Sequence, residues 1–393
     1  MSAASGTRRA LRFVLLIGAV SLCADATYEG ARSIAGPYLA FLGAGALAVS
    51  LIGGLGELLG YGLRLVSGRL ADRPRNLWPV TLCGYGVQMA AVPALALAGS
   101  WPVAALLMIV ERIGKATRNP PRDVMLSHAG ARIGGFGWAF GINEALDQAG
   151  AVVGPLVLAG VLALHQGGYR LAFAVLALPA ALTLCLLTVA RVTYPRPEEM
   201  EAEPTDTDEG RFAPAFWLYL GAAALIAAGF ADFPLIAFRL HQDGTISPSL
   251  VPIFYAVAMG TGGLGSLLFG RLYDRHGFGV LVPLTLVSAA FAPLAFLGGP
   301  WPALLGVSLW GLGMGVHESL IPAAVIPMVP AHRRGSAYGL FTGVYGVAWF
   351  VGSAVIGLLY GVSIGSLVAF SVAAELAAVP LLVLISRKRG NSR

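Results

Sequence analysis

Long apolar runs recur from one end of this chain to the other, each close to the length of about 20 residues that a helix needs to cross a bilayer. A membrane barrel would show shorter segments that alternate apolar and polar residues. Read as helices, the runs predict twelve spans, at 10–32, 45–67, 78–98, 102–124, 136–163, 169–191, 214–239, 249–270, 278–298, 301–327, 336–361 and 364–386. Composition agrees, because 57% of the 393 residues are hydrophobic and 12% charged, against about 25% charged in soluble domains. The expected fold class is an all-α membrane protein.

A charged turn is repeated within this apolar frame. Gly68-Arg69-Leu70-Ala71-Asp72-Arg73 follows the second span, and Gly270-Arg271-Leu272-Tyr273-Asp274-Arg275 follows the eighth. A second pair of segments keeps nearly the same spacing: Gly137-Trp138-Ala139-Phe140-Gly141 at the start of the fifth span and Gly335-Ser336-Ala337-Tyr338-Gly339 at the start of the eleventh. Ala24-Asp25 in the first span is matched by Ala231-Asp232 in the seventh. Three matched places at similar offsets indicate a duplicated unit, the construction common among secondary transporters.

Between the copies, residues 192–213 carry Pro195, Pro197 and Pro204 among seven acidic side chains, from Glu198 to Glu209. Such a segment has little apolar surface to bury and reads as a solvated linker. The expected organisation is a six-helix bundle at 1–191, a cytoplasmic linker at 192–213 and a second six-helix bundle at 214–393, pseudo-symmetric with the first.

The net charge of +6 does not point to nucleic acid, because the basic residues sit at alternate ends of the spans. Arg8 and Arg9, Arg69 and Arg73, Arg122 and Arg132, Arg271 and Arg275, Arg333 and Arg334, and Arg387 to Arg389 all fall on one side. The positive-inside rule then puts both termini in the cytoplasm. The Arg-rich start with Ala24-Asp25-Ala26 resembles a signal peptide, but its counterpart at Ala231-Asp232 argues for a retained span. Cys23, Cys83 and Cys185 fall within spans without metal-ligand spacing and are expected to be small packing residues.

On these motifs the chain resembles the major facilitator superfamily over essentially its full length. Gly68 to Arg73 is similar to its cytoplasmic loop signature between the second and third helices, and Gly270 to Arg275 to the second-half copy. The resemblance implies a latch role for Gly68, Asp72, Arg73, Gly270, Asp274 and Arg275. Arg112 resembles the superfamily's buried fourth-helix arginine. Gly150-Ala-Val-Val-Gly154-Pro155 resembles the fifth-helix signature associated with antiporters. The stretches Asp25 to Glu29, Glu111 to Asp123 and Asp147 to Pro155 are similar to a bacterial branch mostly unassigned in substrate, with Ala116 where that branch often has glycine.

Ionisable side chains in a span cost about 2.5–3.5 kcal/mol each at the bilayer centre, so each requires a partner, a wet cavity or a function. Asp25, Glu29 and Arg32 share one face of the first span. Counted from Leu11 at about 1.5 Å per residue, Asp25 lies past the midplane and Arg32 near the outer surface. Asp25, Glu29 and, in the matching place of the other half, Asp232 are candidates for binding protons, the first two also for a cationic substrate, and Glu57 is a secondary proton-site candidate; a structural Glu29–Arg32 pair is the bland alternative. Arg112, Lys115, Arg118 and Arg122 form a basic stripe on the fourth span, for which Glu144 and Asp147 on the fifth are natural counterions. That stripe fits either a proton-coupling network or a charge clamp on the inner gate, the latter favoured for Lys115, Arg118, Arg122 and Asp72. Glu57 lies deeper than Arg64 on the second span, which snorkels. His317-Glu318 on the tenth span is a polar doublet able to titrate near neutral pH, or hydrogen-bonded packing. Glu375 on the last span reads as an interhelical contact.

Other signals fail on context. Gly260-Thr261-Gly262-Gly263-Leu264-Gly265 fits the dinucleotide fingerprint but lies inside the eighth span, and there is no Walker phosphate loop. The six histidines lack zinc-site spacing, so a membrane enzyme has little support. The expectation is a twelve-helix transporter of the bacterial cytoplasmic membrane, with no cofactor and with a proton gradient as its energy source. Its partners are a small-molecule substrate, protons and the lipid bilayer, and a monomer is the fold-level default. Proton-coupled antiport exporting a small organic or amphipathic compound leads. Uptake of an organic anion through Arg32, Arg64 or Arg112 stands beside it, as do export of a divalent metal through Asp25, Glu29, Asp232 and His317, and a receptor on the same fold.

Overall fold

The computed structural model describes residues 3–71, 77–130, 133, 136–200, 214–244, 246–316, 328 and 334–390, and these form helices and connecting turns. In chain order the helices are α1 (Ala3–Phe41), α2 (Ala46–Ala71), α3 (Leu77–Ala94), α4 (Trp101–Gly130), α5 (Phe136–Leu164), α6 (Tyr169–Val175), α7 (Ala177–Thr193), α8 (Pro214–Gly229), α9 (Phe233–Gln242), α10 (Val251–His276), α11 (Leu281–Ser288), α12 (Phe291–Leu297), α13 (Pro300–Gly315), α14 (Arg334–Val362) and α15 (Ile364–Gly390). Among the described residues, 9 helical stretches are long and apolar enough to cross a bilayer. The other three expected spans fall short for visible reasons. α4 carries too many charges, the apolar part of α10 is the shorter stretch Val251–Gly265, and the tenth expected span is described only through Val316. The chain is a multi-pass membrane protein.

Among the described residues, three of the spans are broken. The sixth divides into α6 and α7 at Leu176, the seventh into α8 and α9 at Phe230-Ala231-Asp232, and the ninth into α11 and α12. The repeated segments keep their register with the helices: Gly137 and Gly335 each fall in the first turn, of α5 and α14 respectively. For Gly68, Gly270, Asp274 and Arg275 the backbone alone is described, each within its helix, and Asp72, Arg73, His317 and Glu318 lie outside the described residues.

α1 differs from the expectation. It runs to Phe41 rather than ending at 32, with Pro37 inside it, because apolar residues continue beyond the charge of Arg32. Arg32 is consequently buried at 7% exposure instead of lying at an outer rim. The cysteines divide as well: Cys23 is buried, whereas Cys83 and Cys185 are exposed.

By Cα proximity the chain forms two compact units, Met1–Ile34 with Gly62–Thr205 and Ala35–Tyr61 with Asp206–Arg393. The first unit has a core of Phe13, Trp78, Tyr85, Met89, Met125 and Leu187. Trp78 Nε1 donates to the Tyr194 carbonyl at 3.0 Å there. The second unit is built around the fully buried Trp310 and Trp349 with Phe230, Phe233 and Tyr255, and the Phe233 and Tyr255 ring centroids are 4.4 Å apart. The ends of α1 and α2 join this second unit through close backbone approach. A Cβ on Gly36 would overlap the Pro234 carbonyl, and one on Gly54 would lie 2.6 Å from Ser353 Cβ.

Candidate functional site

The charged groups of the first unit gather where α1, α3, α4 and α5 meet. α3 and α4 cross at a point where neither has a side chain: a Cβ on Gly84 would lie 2.7 Å from the Arg118 nitrogen, and one on Gly114 would lie 2.7 Å from the Gln88 nitrogen. That approach sets Gln88 between an acid and a base of α4. Its Nε2 donates to Glu111 Oε1 at 2.7 Å, and its Oε1 accepts from Arg118 Nε at 2.5 Å. Arg118 Nη1 donates to the Tyr85 hydroxyl at 2.8 Å and Nη2 to Asp25 Oδ1 at 3.2 Å. The guanidinium is fully buried, and its three separate acceptors from two helices hold the planar fork in one orientation.

Arg118 is the most deeply buried arginine of the fourth span, with Arg122 at 11% and Arg112 at 15% side-chain exposure. The structure brings Arg118 to Asp25 on α1 rather than to an acid of the fifth span.

One turn further along α4, Arg122 meets the other acid. α5 lies directly on α1, because a Cβ on Gly150 would overlap the Leu22 carbonyl and one on Gly154 the Ala26 carbonyl. Pro155 follows them inside the helix. This packing carries Asp147 inward, where its Oδ2 accepts from Asn143 Nδ2 at 3.1 Å and from Arg122 Nη1 at 3.5 Å. Arg122 Nη1 also donates to Ser21 Oγ at 3.2 Å. Glu144 takes another direction: it is exposed, and its carboxylate accepts from Gln148 at 2.9 Å.

A third group surrounds Tyr28. Lys115 Nζ sits 3.6 Å from the ring centroid and Arg112 Cζ 5.1 Å from it, while Arg32 Nη1 donates to the phenol oxygen at 2.9 Å. Cations over the face of a tyrosine are attracted by its quadrupole. Glu29 lies 3.7 Å from Lys115, and Glu111 lies 3.9 Å from Arg112.

The corresponding aspartate of the second unit has different surroundings. Asp232 lies at the break between α8 and α9, where Pro234 takes an early helical position that has no need of its missing N–H. Asp232 Oδ2 accepts from Trp349 Nε1 at 3.2 Å and Ser353 Oγ at 3.5 Å. A Cβ on Gly53 would lie 2.8 Å from the same oxygen. The carbonyls freed by the break are also used: Ala231 accepts from Trp310 Nε1 at 2.8 Å and Gly229 from Ser371 Oγ at 2.6 Å. Re-satisfying freed backbone groups in this way is what allows a broken helix at membrane depth. Glu57 is buried on α2 in this unit.

Tyr28, Tyr85, Gln88, Glu111, Asn143 and Ser21 complete these clusters and were not singled out from the sequence. Gln88 had a readable signal, as the one amide inside the apolar third span, but a search for charge passes over it. Among the described residues no three His, Cys, Asp or Glu side chains converge as a metal site. Chemically, the first unit holds two buried guanidinium–carboxylate pairs, Arg118–Asp25 and Arg122–Asp147. A proton added to Asp25 removes the counter-charge of Arg118, and one added to Asp147 leaves Arg122 to its neighbour Asp123 at 2.9 Å on the same helix, so protonation loosens the ties from α4 to α1 and α5.

The sequence model of the Major Facilitator Superfamily matches residues 15–353. An uncharacterised protein of Mycobacterium tuberculosis (strain ATCC 25618 / H37Rv) is 42% identical over 398 residues, covering 99% of this chain and 97% of the relative. An uncharacterised MFS-type transporter of Methanocaldococcus jannaschii is 25% identical over 358 residues, covering 89% of each chain. Among solved structures, a peptide transporter POT superposes with a TM-score of 0.73 at 15% identity, covering 96% of this chain and 94% of its own. The nucleoside transporter NupG superposes with a TM-score of 0.72 at 12% identity, covering 96% and 98%. At such identities these structures speak for the fold alone, an all-α twelve-helix architecture. With the family match spanning most of the sequence, the chain belongs to the Major Facilitator Superfamily of transporters.

Proposed function

We propose that this transporter is a proton-coupled antiporter of the bacterial cytoplasmic membrane, exporting a small organic or amphipathic compound by alternating access with both termini in the cytoplasm. The observation that carries the reading is the pair of buried ion pairs on shared helices, Asp25 with Arg118 and Asp147 with Arg122. Ionisable groups of this kind inside a membrane protein mark proton relays and substrate pathways. A proton reaching Asp25 or Asp147 releases an arginine that ties α4 to α1 or α5. Asp232 is a further proton acceptor in this scheme, as a buried carboxylate at the break of the seventh span in the place that matches Asp25 in the repeat. Export is supported by the resemblance of Gly150 to Pro155 to the fifth-helix signature associated with antiporters.

The test is the internal pH of proteoliposomes challenged with cationic, neutral and anionic compounds. Proton movement triggered by a cationic or neutral compound is expected, reduced about 5–150-fold in Asp25→Asn and Asp147→Asn, the range of coupling free energies of about 1–3 kcal/mol. Full proton-coupled transport in both variants discards the scheme.

A second reading has its own observation. Arg32, Arg112 and Lys115 all face Tyr28, a basic corner suited to a carboxylate or phosphate and therefore to uptake of an organic anion. Transport of anionic compounds alone, lost in Arg112→Gln, selects this reading over the first.

A further inference from the structure

Behind the break in the seventh span, the second unit contains an acid that neither ion-pair network uses. Glu375 lies at the middle of the apolar stretch Ile364–Arg387 of α15 and has no solvent exposure. Neither of its carboxyl oxygens has a hydrogen-bond partner among the described residues, nor does the hydroxyl of buried Ser288. Both line one cavity, which is otherwise walled by apolar side chains such as Ile226, Leu281, Leu284 and Leu382. The space suits a water molecule and is too small for an organic solute.

The polar groups of the cavity lining come from three helices. α15 contributes Glu375 itself, α8 contributes the phenol of Tyr219, and α11 contributes the hydroxyls of Thr285 and Ser288. The described lining residues of α13 are not ionisable, and the lining ends at Val316, beyond which His317 and Glu318 are outside the described residues. The described lining therefore holds no basic group to offset a carboxylate, and Thr285 is occupied with the Leu281 carbonyl at 2.8 Å.

The cavity is joined mechanically to the helix break. A Cβ on Gly229, the last residue of α8, would lie 3.1 Å from Glu375 Cγ, and one on Gly313 would lie 2.7 Å from Ser288 Oγ and 2.8 Å from the Phe230 ring. Phe230 opens the break that ends at Asp232, and its ring centroid is 5.6 Å from that of Trp349, which donates to Asp232. Interrupted membrane helices are where transporters place ions. A carboxylate needs a counter-charge or water, and a proton is the counter-charge that this space admits.

We propose that Glu375 with Ser288 is a proton-binding site of the second unit. The proton is carried while the cavity is closed around it and released when movement at the Phe230–Asp232 break admits water. The site goes beyond the antiport scheme, whose ion pairs lie in the other unit.

Infrared difference spectra of the purified protein in lipid, recorded between acid and alkaline buffer, test it directly. The carbonyl stretch of a buried protonated carboxylic acid is expected in the wild type, absent in Glu375→Gln and shifted in Ser288→Ala. An unchanged band in a folded Glu375→Gln variant overturns the proposal. If that variant does not fold, an unshifted band in Ser288→Ala does so instead. Replacing choline with sodium at constant pH is expected to leave the band intact, and its disappearance would reassign the site to a metal cation. Failure of the antiport scheme, seen as proton exchange surviving Asp25→Asn and Asp147→Asn, leaves this band in place.

Discussion

Arg118 shows what a single residue contributes. It is fully buried with an acceptor for each of its three nitrogens, so removing one partner strands a charge in an apolar setting at a cost of about 3–5 kcal/mol. Arg118→Leu and Asp25→Asn should each destabilise the protein by about that much in equilibrium unfolding in micelles. The double variant should lose less than the sum, by a coupling of more than about 0.5 kcal/mol. Strict additivity would show that the pair does not interact. The sequence placed Arg118 on a basic stripe but gave that stripe the fifth-span acids Glu144 and Asp147 as counterions, because Asp25 and Arg118 are brought together by helix packing and not by spacing.

At the scale of elements, glycines decide which helices approach closely enough for polar groups to meet. Gly154 faces the Ala26 carbonyl without room for a side chain. Gly154→Val should therefore separate α5 from α1, at about 1–3 kcal/mol for overpacking, and move Asp147 away from Arg122. The check is a lowered thermal unfolding temperature together with weakened proton exchange, with Gly160→Ala as the control, since nothing lies within 4 Å of a Cβ at that position. Equal behaviour of the two variants would remove the packing argument. The seventh span makes the complementary point. Asp25 and Asp232 occupy matching places in the repeat, yet α1 runs unbroken through Asp25 while the chain leaves the helix at Asp232. Pro234 stands close after the second aspartate and has no counterpart after the first, so the break was legible in the sequence, although the span was read as one piece.

For the whole molecule, the distribution of arginines predicts that both termini face the cytoplasm. With Cys83 and Cys185, which are exposed, replaced by serine, a cysteine added at either terminus should resist a membrane-impermeant maleimide in intact cells and react after permeabilisation. Labelling of either terminus from outside would reverse the orientation. The two compact units do not follow the linker alone, since the ends of α1 and α2 group with Asp206–Arg393. No repeat or composition shift marks that division, because it arises from close contacts at Gly36, Gly53 and Gly54 with α9, Asp232 and α14.

Composition and periodicity by themselves determined that this chain crosses a membrane as helices, since a bilayer imposes its thickness on every apolar run. The repeated motifs determined its duplicated plan and its family. Which charges meet was decided only by tertiary structure. Asp25 with Arg118, Asp147 with Arg122, and the isolated Glu375 beside Ser288 all depend on residues from different helices, and a one-dimensional charge pattern contains no information about which helix faces touch. Glu375 shows this most clearly: the sequence reads it as one acid in an apolar span, and only the packed helices reveal a cavity around it that supplies no counter-charge among the described residues.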